Sequence, residues 1–208
     1  MDVNERRALL RVNLITAAEG VIAQGGLPAL RARDLAAEAG CAVGAIYTVF
    51  PDLDALILAV SLRTLALFES EIARSGGNAA ATECRDPETA IDELVRLALT
   101  YFTFARANAP RWRALFQHRM ASGPVPDWYR SEQGRLFRYI EGPLARLCPD
   151  LTEAERKLRA RSLFSATHGL VSLGMDEKLM ALSPATLAEE LETVVRALGR
   201  GLASQPAP

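Results

Sequence analysis

The chain has 208 residues, half of them apolar, with 24 basic against 25 acidic side chains, which is ample material for a buried core without covalent staples. Its three cysteines, Cys41, Cys84 and Cys148, are far apart and in no C-x-x-C spacing, so neither a disulfide frame nor a structural zinc site is expected. No apolar run reaches the roughly 18 residues of a membrane span, and Asp2, Glu5, Arg6 and Arg7 break the basic-then-apolar order of a signal peptide, so a cytoplasmic protein is expected.

Alanine, leucine and arginine dominate, and apolar residues recur three and four apart almost throughout, which predicts an all-α fold of about nine helices. Leu10, Leu14, Ala17, Ala18, Val21 and Ile22 line one face of a first helix that ends at Gly25-Gly26. A short helix over 31–39 follows, with Leu35 and Ala36 inward and Gly40 as its stop. Another spans 43–49 and is broken at Phe50-Pro51, because the residue before a proline disfavours the helical region. Asp52 is a good N-cap for a longer helix towards Ser75.

Gly76-Gly77-Asn78 and the small, polar stretch to Asp86 read as an exposed loop. Cys84 stands in it, open to a role as a thiol sensor with Arg85 as the nearby group that would lower its pKa. Pro87 opens a helix over 87–108 with Ile91, Leu94, Val95, Ala98, Phe102 and Ala105 on one face, and Pro110 opens one to about 121 with Trp112, Leu115, Phe116 and Met120 inward. Gly123-Pro124-Val125-Pro126 is a turn. Further helices are predicted over 127–147, 152–180 and 184–203, the last two introduced by a Thr152/Glu155 capping box and by Ser183-Pro184.

The helices at 31–39 and 43–49 are joined by only Gly40-Cys41-Ala42, the spacing of a helix-turn-helix, in which one helix enters a DNA major groove while its neighbour holds the angle. Gly44 and Ala45 are small enough to let a backbone approach DNA, Tyr47 carries a hydroxyl that can reach a phosphate, and Ile46 and Phe50, four apart, would anchor the helix inward. Against this, residues 1–60 hold five basic side chains and seven acids, a poor balance for phosphate attraction. No nucleophile-base pair, glycine-rich phosphate loop or metal spacing is present, so neither an enzyme nor a cofactor is expected.

The run Asp34-Leu35-Ala36 to Gly40, then Gly44-Ala45-Ile46-Tyr47-Thr48-Val49-Phe50 and Leu56, resembles the TetR family of repressors over about residues 8–60. Tyr101-Phe102, Phe104-Ala105, Pro110 and Thr167-His168-Gly169-Leu170 with Leu173 resemble the subgroup named for a Trp-His-Gly motif, with threonine in place of the tryptophan. The resemblance implies a helix-turn-helix DNA-binding domain over 1–52 and a larger helical-bundle ligand-binding and dimerisation domain over 53–208. It also implies a homodimer paired through its last two helices on a double-stranded, pseudo-palindromic operator. A repressor released by a small apolar effector is the expected function; the alternative is an adaptor module whose helix-turn-helix no longer binds DNA tightly.

On this reading Ala42, Val43, Gly44, Ala45, Tyr47 and Thr48 meet the groove and phosphates, and Arg31 and Arg33 the DNA backbone. Family members carry Thr or Ser where this chain has Arg31, Ser for Ala42, Thr for Ala45 and Lys for Leu53, so two helix caps and one phosphate-binding charge are missing. The effector site is expected among Phe102, Trp112, Phe116, Gln117, Met120, Trp128, Phe137, Phe164 and His168. His168 reads as a buried, hydrogen-bonded residue, not a metal ligand, and a mid-helix Gly169 predicts a close helix–helix approach.

Overall fold

A computed structural model describes residues 2–77, 86–121, 123–179 and 182–204. Among the described residues nine α-helices and no strand occur: α1 Val3–Gly25, α2 Ala32–Glu38, α3 Val43–Val49, α4 Leu53–Ile72, α5 Pro87–Ala107, α6 Ala109–Gln117, α7 Asp127–Leu147, α8 Glu153–Gly174 and α9 Pro184–Ala203. Cys84 and positions 78–85 of the expected loop lie outside the described residues.

Local chemistry sets most helix starts. Asp2 and Glu5 form a capping box on α1, Thr152 and Glu155 another on α8, and Ser183 caps α9 by accepting the Thr186 N–H. Asp52 Oδ1 accepts the Ala55 N–H at 2.7 Å and so caps α4. At Arg31 and Ala42, the N-cap positions of α2 and α3, no side chain caps the helix.

Two helices end earlier than their periodicity predicts. The helix expected to reach 121 stops at Gln117, where His118 turns extended and the Asp54 carboxylate takes the Ala121 N–H at 2.7 Å. The helix expected to reach 180 stops at Gly174; beyond it the Asp176 carboxylate accepts the Lys178 N–H at 2.9 Å, a local turn that competes with helix. The expected close approach at Gly169 is not found among the described residues, since nothing lies within 4 Å of a Cβ built there. It occurs instead at Gly174, against Leu187, and at Gly199, against Ile91.

Packing gathers the chain into two compact units, residues 1–67 with 108–131, and residues 68–107 with 132–208, a division that does not coincide with the 52/53 boundary read from sequence. The first unit has a continuous core of Leu14, Ile15, Ala18 and Ile22 from α1, Leu35 and Ala36 from α2, Ile46 and Phe50, Leu56, Ala59 and Val60 from α4, and Ala114 from α6. Each fully buried large apolar side chain in it contributes roughly 1.5–3 kcal/mol. In the second unit, α5 and α9 lie close enough for Ile91 to fill the space above Gly199, with Leu187, Leu191 and Val195 of α9 buried. Arg196–Asp92 and Arg200–Glu88 pairs run along the same two helices at the surface, where such pairs add little.

No single helix among the described residues is long and apolar enough to cross a membrane. The consecutive helices α3 and α4 are rich in apolar residues, of which Ile46, Leu56 and Val60 are buried in the core just described.

Candidate nucleic-acid interface

Between α2 and α3 the chain reverses in four residues, Ala39, Gly40, Cys41 and Ala42. Gly40 supplies the positive φ of 65°, and the Cys41 N–H bonds the Ala36 carbonyl at 2.9 Å, closing the turn. Ile46 and Phe50 are buried on the inner side of α3, as their four-residue spacing predicts, and the Arg11 guanidinium sits 4.8 Å over the Phe50 ring. The buried pair fixes which side of α3 faces out.

That outer side carries Val43, 39 % exposed, and Tyr47, 50 % exposed, with Ala42, Gly44 and Thr48 also exposed and Ala45 half-buried. The Thr48 hydroxyl donates to the Ala45 carbonyl at 2.7 Å. Arg31 and Arg33 are exposed at the start of α2, and neither joins an ion pair among the described residues. The eight residues singled out from sequence therefore lie on α3 and at the starts of α2 and α3, and nothing within 4 Å would hinder a side chain at Gly44.

The residues expected to line an effector site separate into two groups. In the second unit, Phe137 and Phe164 meet edge to face with centroids 5.5 Å apart, and Phe164 stacks on His168 at 5.8 Å. Tyr101 joins them, its hydroxyl 2.7 Å from His168 Nδ1 and its ring 5.6 Å from both Phe164 and Phe68, while Phe104 lies 5.1 Å from Phe68. Burial holds His168 below the ordinary imidazole value, favouring the neutral ring. Phe102 is buried on the same helix as Tyr101.

The other group belongs to the first unit. Trp112 is buried and meets Phe116 edge to face at 5.6 Å, but Phe116, expected inward, is 37 % exposed, and Gln117 is exposed beside it. Met120 is half-buried past the end of α6, and Trp128 is 49 % exposed in the first turn of α7.

Sequence reasoning missed Tyr101, Phe68 and Phe104 as members of the aromatic cluster. It also missed the charged groups that hold α6 in the first unit. Glu19 of α1 accepts Arg63 of α4 at 3.1 Å and Arg111 of α6 at 3.0 Å, and Arg63 also donates to Thr16. Asp54 lies 3.5 Å from His118 Nε2.

A family description reading "Bacterial regulatory proteins, tetR family" matches residues 14–60, and "Tetracyclin repressor-like, C-terminal domain" matches residues 94–198, half of the chain. The chain belongs to the TetR family. It is a ligand-responsive, DNA-binding regulator of transcription. Among solved structures it is similar to a Rhodococcus sp. RHA1 protein of unknown function, with 23 % identity, TM-score 0.68 and coverage of 94 % of this chain and 96 % of the other. It is also similar to RolR in complex with resorcinol, at 19 % identity, TM-score 0.61 and coverage of 99 % and 98 %. The multidrug binding protein EbrR in complex with imidazole has 19 % identity, TM-score 0.61 and coverage of 95 % and 96 %. These likenesses establish the shared fold. No curated protein is a significant match to the chain.

For a TetR-family protein the charge of the DNA-binding unit is less adverse than residues 1–60 suggest. Of the seven acids there, Asp2, Glu5 and Asp52 are engaged in caps, Glu19 is paired with two arginines, and Asp54 is buried. Asp34 and Glu38 remain exposed on α2. With α6 and the start of α7 included, the first unit has ten arginines against eight acidic side chains.

Proposed function

We propose that this TetR-family protein is a cytoplasmic, non-enzymatic repressor that binds operator DNA as a homodimer and leaves it when a small apolar effector binds. In functional terms residues 1–52 bind DNA and residues 53–208 sense and pair. The observation that carries the DNA-binding assignment is the two-sidedness of α3: Ile46 is buried while Tyr47, next in sequence, is half exposed among small residues. Val43, Gly44, Ala45 and Thr48 then face the major groove, Ala42 and Tyr47 reach its walls, and Arg31 and Arg33 meet phosphates.

Pairing through α8 and α9 is supported by exposed Leu158, Leu173 and Leu198 on those helices and by open space at Gly169 and Gly201. The effector lodges against Phe102, Phe137, Phe164 and His168 together with Tyr101, an apolar wall with one neutral hydrogen-bonding pair. The small ring compounds seen with RolR and EbrR support an effector of that size. The Thr167-His168-Gly169 run supports membership of the Trp-His-Gly subgroup. An effector that binds better when the two α3 helices are out of register with the operator shifts the population away from the DNA-bound state.

The test is a gel-shift titration against the protein's own upstream DNA over a range of salt. Affinity that falls steeply with salt and is lost in Tyr47→Ala is the expected result. Weak binding that ignores salt would favour the adaptor reading.

A further inference from the structure

From Ala39 to Pro51 the chain contains no charged, amide or imidazole side chain. That interval includes all of α3. Bases are distinguished in the major groove mainly by arginine or lysine on guanine, asparagine or glutamine on adenine and carboxylates on cytosine. None of these pairings is available to this helix.

What α3 does offer is apolar. Val43 is one of its two exposed large side chains, Tyr47 the other, and Gly44 keeps the surface low between Tyr47 and Thr48. Thr48 has a hydroxyl hydrogen already committed to the Ala45 carbonyl, which leaves its methyl and lone pairs. The one major-groove feature that apolar side chains read is the C5-methyl of thymine.

We propose that this protein reads its operator half-sites through thymine methyl groups, with Val43 as the residue that determines specificity and the Thr48 methyl as a second reader on the same exposed side of α3. Arg31, Arg33 and Tyr47 position the helix and carry no base discrimination. The inference rests on α3 occupying the major groove.

Full-length protein is used to select duplexes from a random pool, and the selected duplex is then resynthesised with deoxyuridine for thymine, one position at a time, or with 7-deazaguanine for guanine. Deoxyuridine at one or two positions in each half-site lowers affinity about fourfold per methyl lost, the scale set by transfer of one buried methylene. In Val43→Ala, whose side chain is exposed and whose fold is unaffected, the deoxyuridine effect at one of those positions disappears. Substitution by 7-deazaguanine, which removes N7, one of the two acceptors that arginine reads, leaves affinity unchanged.

Affinity indifferent to deoxyuridine, or lowered as much by 7-deazaguanine, overturns the inference while operator binding stands. So does a pool that is retained without enrichment of any sequence. A pool that is not retained at all removes DNA binding itself, and methyl readout with it.

Discussion

Asp54 of α4 and His118, just past α6, lie 3.5 Å apart from Oδ1 to Nε2, both side chains about nine-tenths buried. Among the described residues Nε2 has no hydrogen-bond partner, although the Asp54 carboxylate is within ion-pair reach. The other carboxylate oxygen is well used, accepting the Ala121 N–H at 2.7 Å. Asp54→Ala leaves that N–H unsatisfied and is expected to destabilise the protein by about 1–3 kcal/mol in urea denaturation. Asp54→Asn keeps an acceptor in place and loses less. Equal stability of both variants and the parent would show that the carboxylate holds nothing.

Tyr47→Phe removes one exposed hydroxyl and no packing. If that hydroxyl donates to a phosphate, operator affinity falls about tenfold, the scale of a hydrogen bond to a charged group. Helicity and melting temperature stay unchanged. Affinity equal to the parent's in the same gel-shift assay would move the phosphate contact elsewhere.

Two glycines respond oppositely to alanine. At Gly199 the added Cβ meets Ile91 Cγ1 at 2.9 Å, between two packed helices, so Gly199→Ala is expected to cost about 1–3 kcal/mol as overpacking. At Gly169 the new methyl meets nothing among the described residues, and the helix gains about 1 kcal/mol in propensity. On the proposed pairing through α8 and α9, Gly169→Ala nonetheless weakens the dimer. Sedimentation equilibrium decides this: a dimer constant unaffected by Gly169→Ala places the pairing surface away from that residue.

His168 supplies a pH dependence. Burial lowers its proton affinity in the folded state below the ordinary value of 6.5, so the unfolded chain binds more protons as pH falls through that value. The native state is therefore favoured above about pH 6.5, and this contribution is lost on acidification until the folded-state imidazole also titrates. Carboxylates titrate in the same experiment, so the comparison is with His168→Gln. Melting temperature measured from pH 5 to 8 should fall less steeply in the variant at the acid end; parallel curves would mean that burial of the ring has no energetic weight.

Much of the helical framework was legible in the sequence because its determinants are local. Four-residue spacing put Ile46 and Phe50 on one side of α3, Gly40 marked the turn, and Asp52, the Thr152/Glu155 pair and Ser183 marked helix starts, each through contacts within one turn of chain. The pattern around Tyr47 then pointed to the family. Tertiary structure alone decided what lies far apart in sequence. Tyr101 meets His168 across 67 residues, Glu19 meets Arg111 across 92, and Asp54 takes an N–H from Ala121 and ends α6 early. Periodicity assigns a face to each helix but carries no information on which other helix covers it. For that reason Glu19 reads as one more repulsive charge in the sequence and as the partner of Arg63 and Arg111 once the helices are packed.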